Sequence, residues 1–281
     1  MGKEIVICNT PIAILLATYN GEKYLSEQID SLLSQTYKDF TLYVHDDGSK
    51  DNTLAILSDY SSKYPNVIVL DYEPSHGAKE NFFGLLDRVE AEYYMFCDQD
   101  DIWHNDKIEK SLSAIRLIES EHKGKPVCVY SDLKVVDEDG NTISESFFEM
   151  EGIHPEFLQD FNHASASNFA TGCTMLFNHK AKEIMHPNIA AATMHDSWVA
   201  LSVLKVGGSV VPIREALIDY RQHGNNTLGA MDSNRLTLSY RIKNAKSLLS
   251  LLWKHYKMHQ ALGFGSIFKF VYYKCVYKLK K

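Results

Sequence analysis

The sequence has no stretch of about 18 uncharged apolar residues, and Met1 to Thr10 lacks the basic, then strongly apolar, layout of a secretory leader. A chain that does not span a membrane is expected. Cysteine is sparse: Cys8, Cys97, Cys128, Cys173 and Cys275 are odd in number, far apart and without a CxxC pair. That usage speaks against a disulfide framework or a zinc site, and a reducing cytoplasm suits it best. No GxGxxG follows the first apolar run, which disfavours a dinucleotide-binding oxidoreductase. Proline is scarce, at 7 in 281 residues, and there is no internal repeat. With 45% hydrophobic and 23% charged residues, the composition is that of a packed globule. At this length one large α/β core with an appendage is expected rather than two equal domains.

Acidic residues are missing from one end only. Residues 233–281 carry 11 Lys and Arg and no Asp or Glu, while the rest holds 18 basic against 36 acidic residues, a net of −18. A basic end on an acidic body can serve nucleic acid, an anionic membrane surface or an acidic partner.

Short buried-strand runs are present: Ile12 to Ala17, Phe40 to Val44, Val67 to Leu70, Tyr93 to Cys97 and Val127 to Tyr130. Helical spacing fills the gaps, over Tyr24 to Gln35, Asn52 to Lys63, Ala78 to Val89 and Asp106 to Glu121. This alternation implies βαβ units, a Rossmann-like, mainly parallel sheet and helices on both faces. From about Asp132 to Arg221 the pattern is less regular and reads as the acceptor half of the same domain. Beyond it, Arg235 to Gln260 and Ser266 to Lys280 read as two helices separated by Gly263-Phe264-Gly265.

In parallel sheets ligands gather at the carboxyl ends of strands, and the polar signals lie there. Thr18-Tyr19-Asn20-Gly21 follows the first strand, Asp46-Asp47-Gly48-Ser49 the second and Asp98-Gln99-Asp100-Asp101 the fourth. Two carboxylates one residue apart can address a divalent cation and a ribose together, although a lone DxD is also an ordinary acidic turn. A calcium loop fits worse, because Ile102 and Trp103 stand where an oxygen ligand and a glycine are needed. Asp47 can accept from the N3–H of a uracil or thymine, and Tyr19 offers a flat face to the base. The alternative is a plain turn that caps the next helix.

The ordered set ATYNGEKYL, DDGSKDNT, CDQDDIWHNDKI, TGCTML, HDSW and YRQHGNN resembles family 2 glycosyltransferases of the GT-A fold, over about residues 12–226. SDLKVV (Ser131 to Val136), MHDSW and YRQHGNN further resemble bacterial rhamnosyltransferases of rhamnose-polysaccharide, capsule or O-antigen synthesis. The resemblance implies a catalytic domain over 1–232, with a nucleotide-sugar half at about 10–131, an acceptor half at about 132–232, and a basic helical extension over 233–281. It implies that Tyr19 and Asp47 hold the base, with Thr18, Asn20, Asp98 and Gln99 about the nucleotide; Lys79 and Asn81, beside Gly77 before the third helix, can reach the base or phosphates by their position, with a surface role as the alternative. Asp100 would be the principal ligand of Mn²⁺ or Mg²⁺, joined by Asp98 and His223. Asp196 would be the general base of an inverting transfer; by residue type Trp103 and Trp198 can stack on a sugar face and Gly172 can let the backbone approach the sugar or acceptor, with Asp101 and His195 placed beside them. His195 stands where the commoner family form has Glu, so its role is open.

Each of these has a plainer alternative. Asp196 can cap the helix near Ser197, His223 can be a loop histidine, Trp103 and Trp198 can be core, and Gly172 can be a strand glycine. The implied donor is dTDP-β-L-rhamnose, with a UDP-hexose as the alternative, and the acceptor is a lipid-linked saccharide. A nucleotidyltransferase is disfavoured because Tyr19-Asn20-Gly21-Glu22 makes a poor phosphate loop. A non-catalytic carbohydrate-binding protein would tolerate loss of the acids, all of which are present. For the tail, whose Lys274, Lys278 and Lys281 share a helical face, the choice lies between the inner surface of the plasma membrane and packing on the domain or on a second copy; nucleic acid is not expected.

Overall fold

The computed structural model describes residues 5–185, 189–224 and 245–279. Strands and helices alternate through the first half: β1 (Val6–Ile7), β2 (Ile12–Thr18), α1 (Leu25–Leu33), β3 (Phe40–Asp46), α2 (Thr53–Lys63) and β4 (Val67–Val69). Next come α3 (Ala78–Leu86), β5 (Val89–Glu90), β6 (Tyr93–Cys97), β7 (Ile102–Trp103) and α4 (Lys107–Glu121). The second half holds β8 (Val127–Val136), β9 (Thr142–Ser144), α5 (Phe147–Glu151), α6 (Phe161–Ala164), β10 (Met175–Asn178), α7 (His179–Glu183), α8 (His195–Lys205) and β11 (Ser209–Arg221). Two helices close the described chain, α9 (Ala245–Ala261) and α10 (Ile267–Lys278).

The main sheet runs β4-β3-β2-β6-β10-β8-β11-β7, with β9 on β8. The pairs β4 with β3, β3 with β2 and β2 with β6 are parallel, as is β11 with β8, whereas β10 is antiparallel to both its neighbours. The sheet is therefore mixed and mainly parallel. Both of its faces are buried. In β2, Ala13 and Leu15 join one apolar cluster and Ile12, Ile14 and Leu16 join the other. A strand buried on both faces reads as an unbroken apolar run.

The C-terminal helices fold back onto the stretch from Gly152 to Ala166. The Tyr277 hydroxyl accepts from His154 N and donates to the Gly152 carbonyl, both at 3.2 Å, and Phe270 is buried with Tyr256 and Phe264. Lys274 corrects the expectation of a shared lysine face toward a membrane: it turns inward and donates to the Ala166 carbonyl at 3.0 Å. Residues 235–244, Lys280 and Lys281 lie outside the described residues. No described helix is long and apolar enough to cross a membrane.

Candidate active site

β2, β3 and β6 lie side by side and parallel, so Thr18, Asp46 and Cys97 bring their loops to one edge of the sheet. The N-terminus of α8 reaches the same edge. Asp47, Asp98, Gln99, Asp100, Gly172, His195 and Asp196 line one cavity there, of about 470 Å³, with Tyr19 and Tyr220. A second opening holds Tyr19, Asn20, Gln99, Asp100 and His223.

The acids crowd one another. Burial, then Asp100, then Asp196 push the Asp98 carboxyl up to about 7, and burial raises Asp100 against its bond to His223. The His223 Nε2 lies 2.8 Å from the Asp100 Oδ2. The carboxylate–imidazole pair Asp100–His223 is of a donor type that suits Mn²⁺ or Mg²⁺, while Asp98 lines the neighbouring cavity and, among the described residues, its ligand oxygens are not gathered with that pair in one cluster. A second group, Asp98 with Asp101 and Cys173, fits less well. Asp101 and Cys173 are buried, and burial drives the thiol pKa well above its ordinary value, which disfavours the thiolate a metal would need.

Backbone bonds fix the acidic loop. Arg221 is buried and donates from its Nε to the Asp100 carbonyl at 3.1 Å, from Nη1 to the Glu138 carbonyl at 3.0 Å and from Nη2 to Glu27. Its own N–H donates to Asp101 Oδ1 at 3.2 Å. Sequence reading quoted Arg221 within Tyr220-Arg221-Gln222-His223 but gave it no task. A basic residue next to a candidate ligand was the available signal. Lys107, fully buried 4.0 Å from the Trp103 ring centroid, was missed too.

Several expected contacts are taken up by the protein itself. Gln99 spends its amide on Tyr19, accepting from its N–H at 2.9 Å and donating to its carbonyl at 3.0 Å. A Cβ on Gly21 would fall 2.4 Å from Gln99 Oε1, so a side chain there would push the Gln99 amide off Tyr19. The Thr18 hydroxyl donates to Asp46 at 3.0 Å, and Asn20 Oδ1 accepts from Lys50 N at 2.8 Å. Asn81 is held by His45. Asp47 accepts from the N–H groups of Ser75, His76 and Gly77, and its Oδ2, with the single bond to Gly77 at 2.7 Å, keeps capacity for one more donor. Tyr19 is 55% exposed and free to stack.

Four expectations need correction. Trp103 and Trp198 are each 1% exposed and belong to the two core clusters, so neither presents a face to a sugar. Lys79 points away from the cavity, to Glu80 at 2.9 Å and the Ala192 carbonyl at 3.1 Å. Asp101 forms the inner wall rather than the lining.

Asp196 is in the first turn of α8, is 4% exposed and faces the cavity, while its Oδ1 accepts from Ser197 N. His195 packs on Phe82 and Phe96, with ring centroids at 4.1 and 4.7 Å, and burial lowers its pKa to about 4. Its neutral ring fills the space that a Cβ on Gly172 would need, at 2.5 Å from Nε2.

The fold and chain match known proteins. The dTDP-rhamnosyl transferase RfbG of Shigella flexneri is 30% identical over 76% of this chain and 74% of its own length. A crystal structure of S. aureus TarS with UDP-GlcNAc superposes with TM-score 0.55 at 20% identity, covering 76% of this chain and 59% of that one. The mannosyltransferase PcManGT of Pyrobaculum calidifontis, solved with GDP-Man and Mn²⁺, gives TM-score 0.58 at 13% identity over 96% of this chain and 80% of that one. These structures share the GT-A fold. The sequence profile of Glycosyl transferase family 2 matches residues 13–184, and the chain belongs to that family.

Proposed function

We propose that the protein transfers L-rhamnose from dTDP-β-L-rhamnose, with inversion, to a lipid-linked saccharide of a cell-surface polysaccharide. The observation that carries a sugar transfer is that Asp98, Asp100 and Asp196 face one cavity with Tyr19 at its side. Rhamnose is favoured by the relative of Shigella flexneri, whose name states a dTDP-rhamnosyl donor. A UDP-hexose is the second reading, favoured by the UDP-GlcNAc in the TarS structure.

Each residue has a task. Tyr19 stacks on the pyrimidine and Asp47 Oδ2 accepts its N3–H. Asp100 and His223, with Asp98 from the neighbouring cavity, would hold a divalent cation, whose charge would offset that of the departing nucleoside diphosphate. Asp196 takes the proton of the acceptor hydroxyl as that oxygen attacks the anomeric carbon, and the bond to the diphosphate oxygen breaks in the same displacement. Arg221 keeps the loop that carries Asp100 in place.

The enzyme works at the inner face of the plasma membrane. Support comes from α10, where Phe268, Val271, Tyr272, Cys275 and Leu279 are exposed at helical spacing, with Lys269 and Lys278 exposed among them. Aromatic and lysine side chains on one outward face suit an anionic bilayer surface.

Thermal shift against dTDP-rhamnose, UDP-sugars and GDP-sugars with Mn²⁺ or Mg²⁺ tests the donor. Ligand at a hundredfold its Kd adds about 2.7 kcal/mol, a rise of roughly 5 °C or more for a chain of this size. A shift with a UDP-hexose and none with dTDP-rhamnose would select the second reading.

A further inference from the structure

A larger cavity, of about 700 Å³, adjoins the donor cavity at the start of α8. Met194 lines both; Asp196 faces the donor side and Ser197 the other. Its walls are apolar: Phe169 and Leu201 come from the catalytic domain, Leu251, Trp253 and Met258 from α9. Its charge has one sign. Lys79, Lys254, Lys257 and Lys274 line it, and no Asp or Glu stands among the described lining residues.

Lys79 is compensated by Glu80. The other three have no carboxylate partner among the described residues: Lys257 bonds the Gln260 side chain at 3.0 Å and Lys274 bonds a backbone carbonyl. Burial and the nearby Lys278 lower the Lys274 pKa to about 8, and burial with Lys274 lowers that of His255. Lys254 and Lys257 are exposed and Lys274 is half-buried, so unopposed positive charge borders the apolar walls and attracts an anion. Inorganic phosphate would satisfy the lysines and leave the apolar walls wet. A neutral chain would do the reverse.

We infer that this cavity binds the anionic, apolar-tailed end of the acceptor, a phosphate ester of a single long hydrocarbon chain. Lys254, Lys257 and Lys274 take the phosphate, and Leu201, Leu251, Trp253 and Met258 take the start of the chain. The sugar beyond the phosphate then extends past Met194 toward Asp196. This rests on the transferase reading for its orientation, while the ligand chemistry stands on the cavity alone.

Trp253 reports on the site directly, because it is 50% exposed at the cavity whereas Trp103 and Trp198 are buried in the core. Full-length protein is titrated with dodecyl phosphate below its micelle concentration, following tryptophan emission. A saturable blue shift is expected, absent in Trp253→Phe. Dodecyl maltoside and inorganic phosphate should each bind about tenfold more weakly or worse, as loss of charged hydrogen bonds or of chain burial implies. The exposed pair K254E/K257E should weaken dodecyl phosphate by a similar factor and leave the nucleotide-sugar thermal shift intact, which also shows that the variant folds. Equal binding of dodecyl maltoside, or unchanged binding by K254E/K257E, would overturn the inference. Tighter binding of dihexanoyl phosphatidylglycerol than of dodecyl phosphate would assign the cavity to a membrane lipid instead and overturn it as an acceptor site. Because the probe carries no sugar and needs no donor, its failure leaves the donor reading untouched, and failure of the nucleotide shift leaves this binding test valid.

Discussion

Asp196 is poorly exposed and its Oδ1 already accepts from Ser197, so its value as a base depends on the acceptor capacity its carboxylate keeps at the cavity. Asp196→Asn keeps the shape and removes the basicity. Transfer should fall by about 10²–10⁴-fold while donor affinity is unchanged, as measured by initial rates and by nucleotide-dependent thermal shift. A variant as active as the native chain would refute the assignment. His195 makes a separate prediction. Its pKa is about 4 in the fold against 6.5 for an unperturbed imidazole, so the unfolded chain binds more protons between those values. Stability therefore rises with pH across that window and is lost as pH falls through it, by up to about 3 kcal/mol. His195→Gln should flatten the dependence of the urea midpoint on pH between 4 and 6.5, and an unchanged slope would show that the ring does not titrate this way. Gly21 has no room for a side chain against Gln99. Gly21→Ala should displace Gln99 from Tyr19, and nucleotide binding in a titration should weaken; native affinity would count against Tyr19 as the base platform.

At the scale of elements, the end of β11 matters most. It brings Arg221 under the Asp98–Asp101 loop, and four protein groups accept from it. Arg221→Met should cost about 2 kcal/mol in denaturant unfolding, through carbonyls left unpaired, and should lower the metal-dependent nucleotide shift. An unaltered shift would mean the loop holds itself. β2, β3 and β6 were legible because burial on both faces leaves an unbroken apolar run. β8 was seen only to Tyr130, since Ser131, Asp132 and Lys134 interrupt the run. Asp132 is nevertheless buried, and it accepts from Ser146 Oγ and from the N–H groups of Phe147 and Phe148. β11 escaped notice because Pro212, Arg214 and Glu215 and two register shifts break its alternation. The acids were legible as a motif, being consecutive at a strand end. The task of Arg221 was not, because it depends on the pairing of β11 with β8 across 80 residues of sequence or more. Trp103 and Trp198 show the opposite failure, where nearness in sequence to the acids suggested a contact that core packing prevents.

The whole molecule divides by charge, with an acidic body bearing the Asp98–Asp101 loop and Asp196 and a basic end folded against residues 152–166. Of that end, Lys274 faces inward to the larger cavity, while Phe268 and Leu279 are 84% and 88% exposed beside Lys269 and Lys278. Liposomes rich in phosphatidylglycerol should float the full chain, and Phe268→Glu with Leu279→Glu should abolish flotation without changing the nucleotide shift. Equal flotation of the variant would remove α10 as the membrane face. The central claim is that one cavity joins a metal-held diphosphate to a base. It is tested most directly by titrating dTDP and UDP, with Mn²⁺, into the native chain, Asp100→Asn and Asp196→Asn, and by measuring sugar transfer for each. Metal-dependent binding lost in Asp100→Asn and kept in Asp196→Asn, with transfer lost in both, is the predicted result. Native binding by Asp100→Asn, or native transfer by Asp196→Asn, would contradict it.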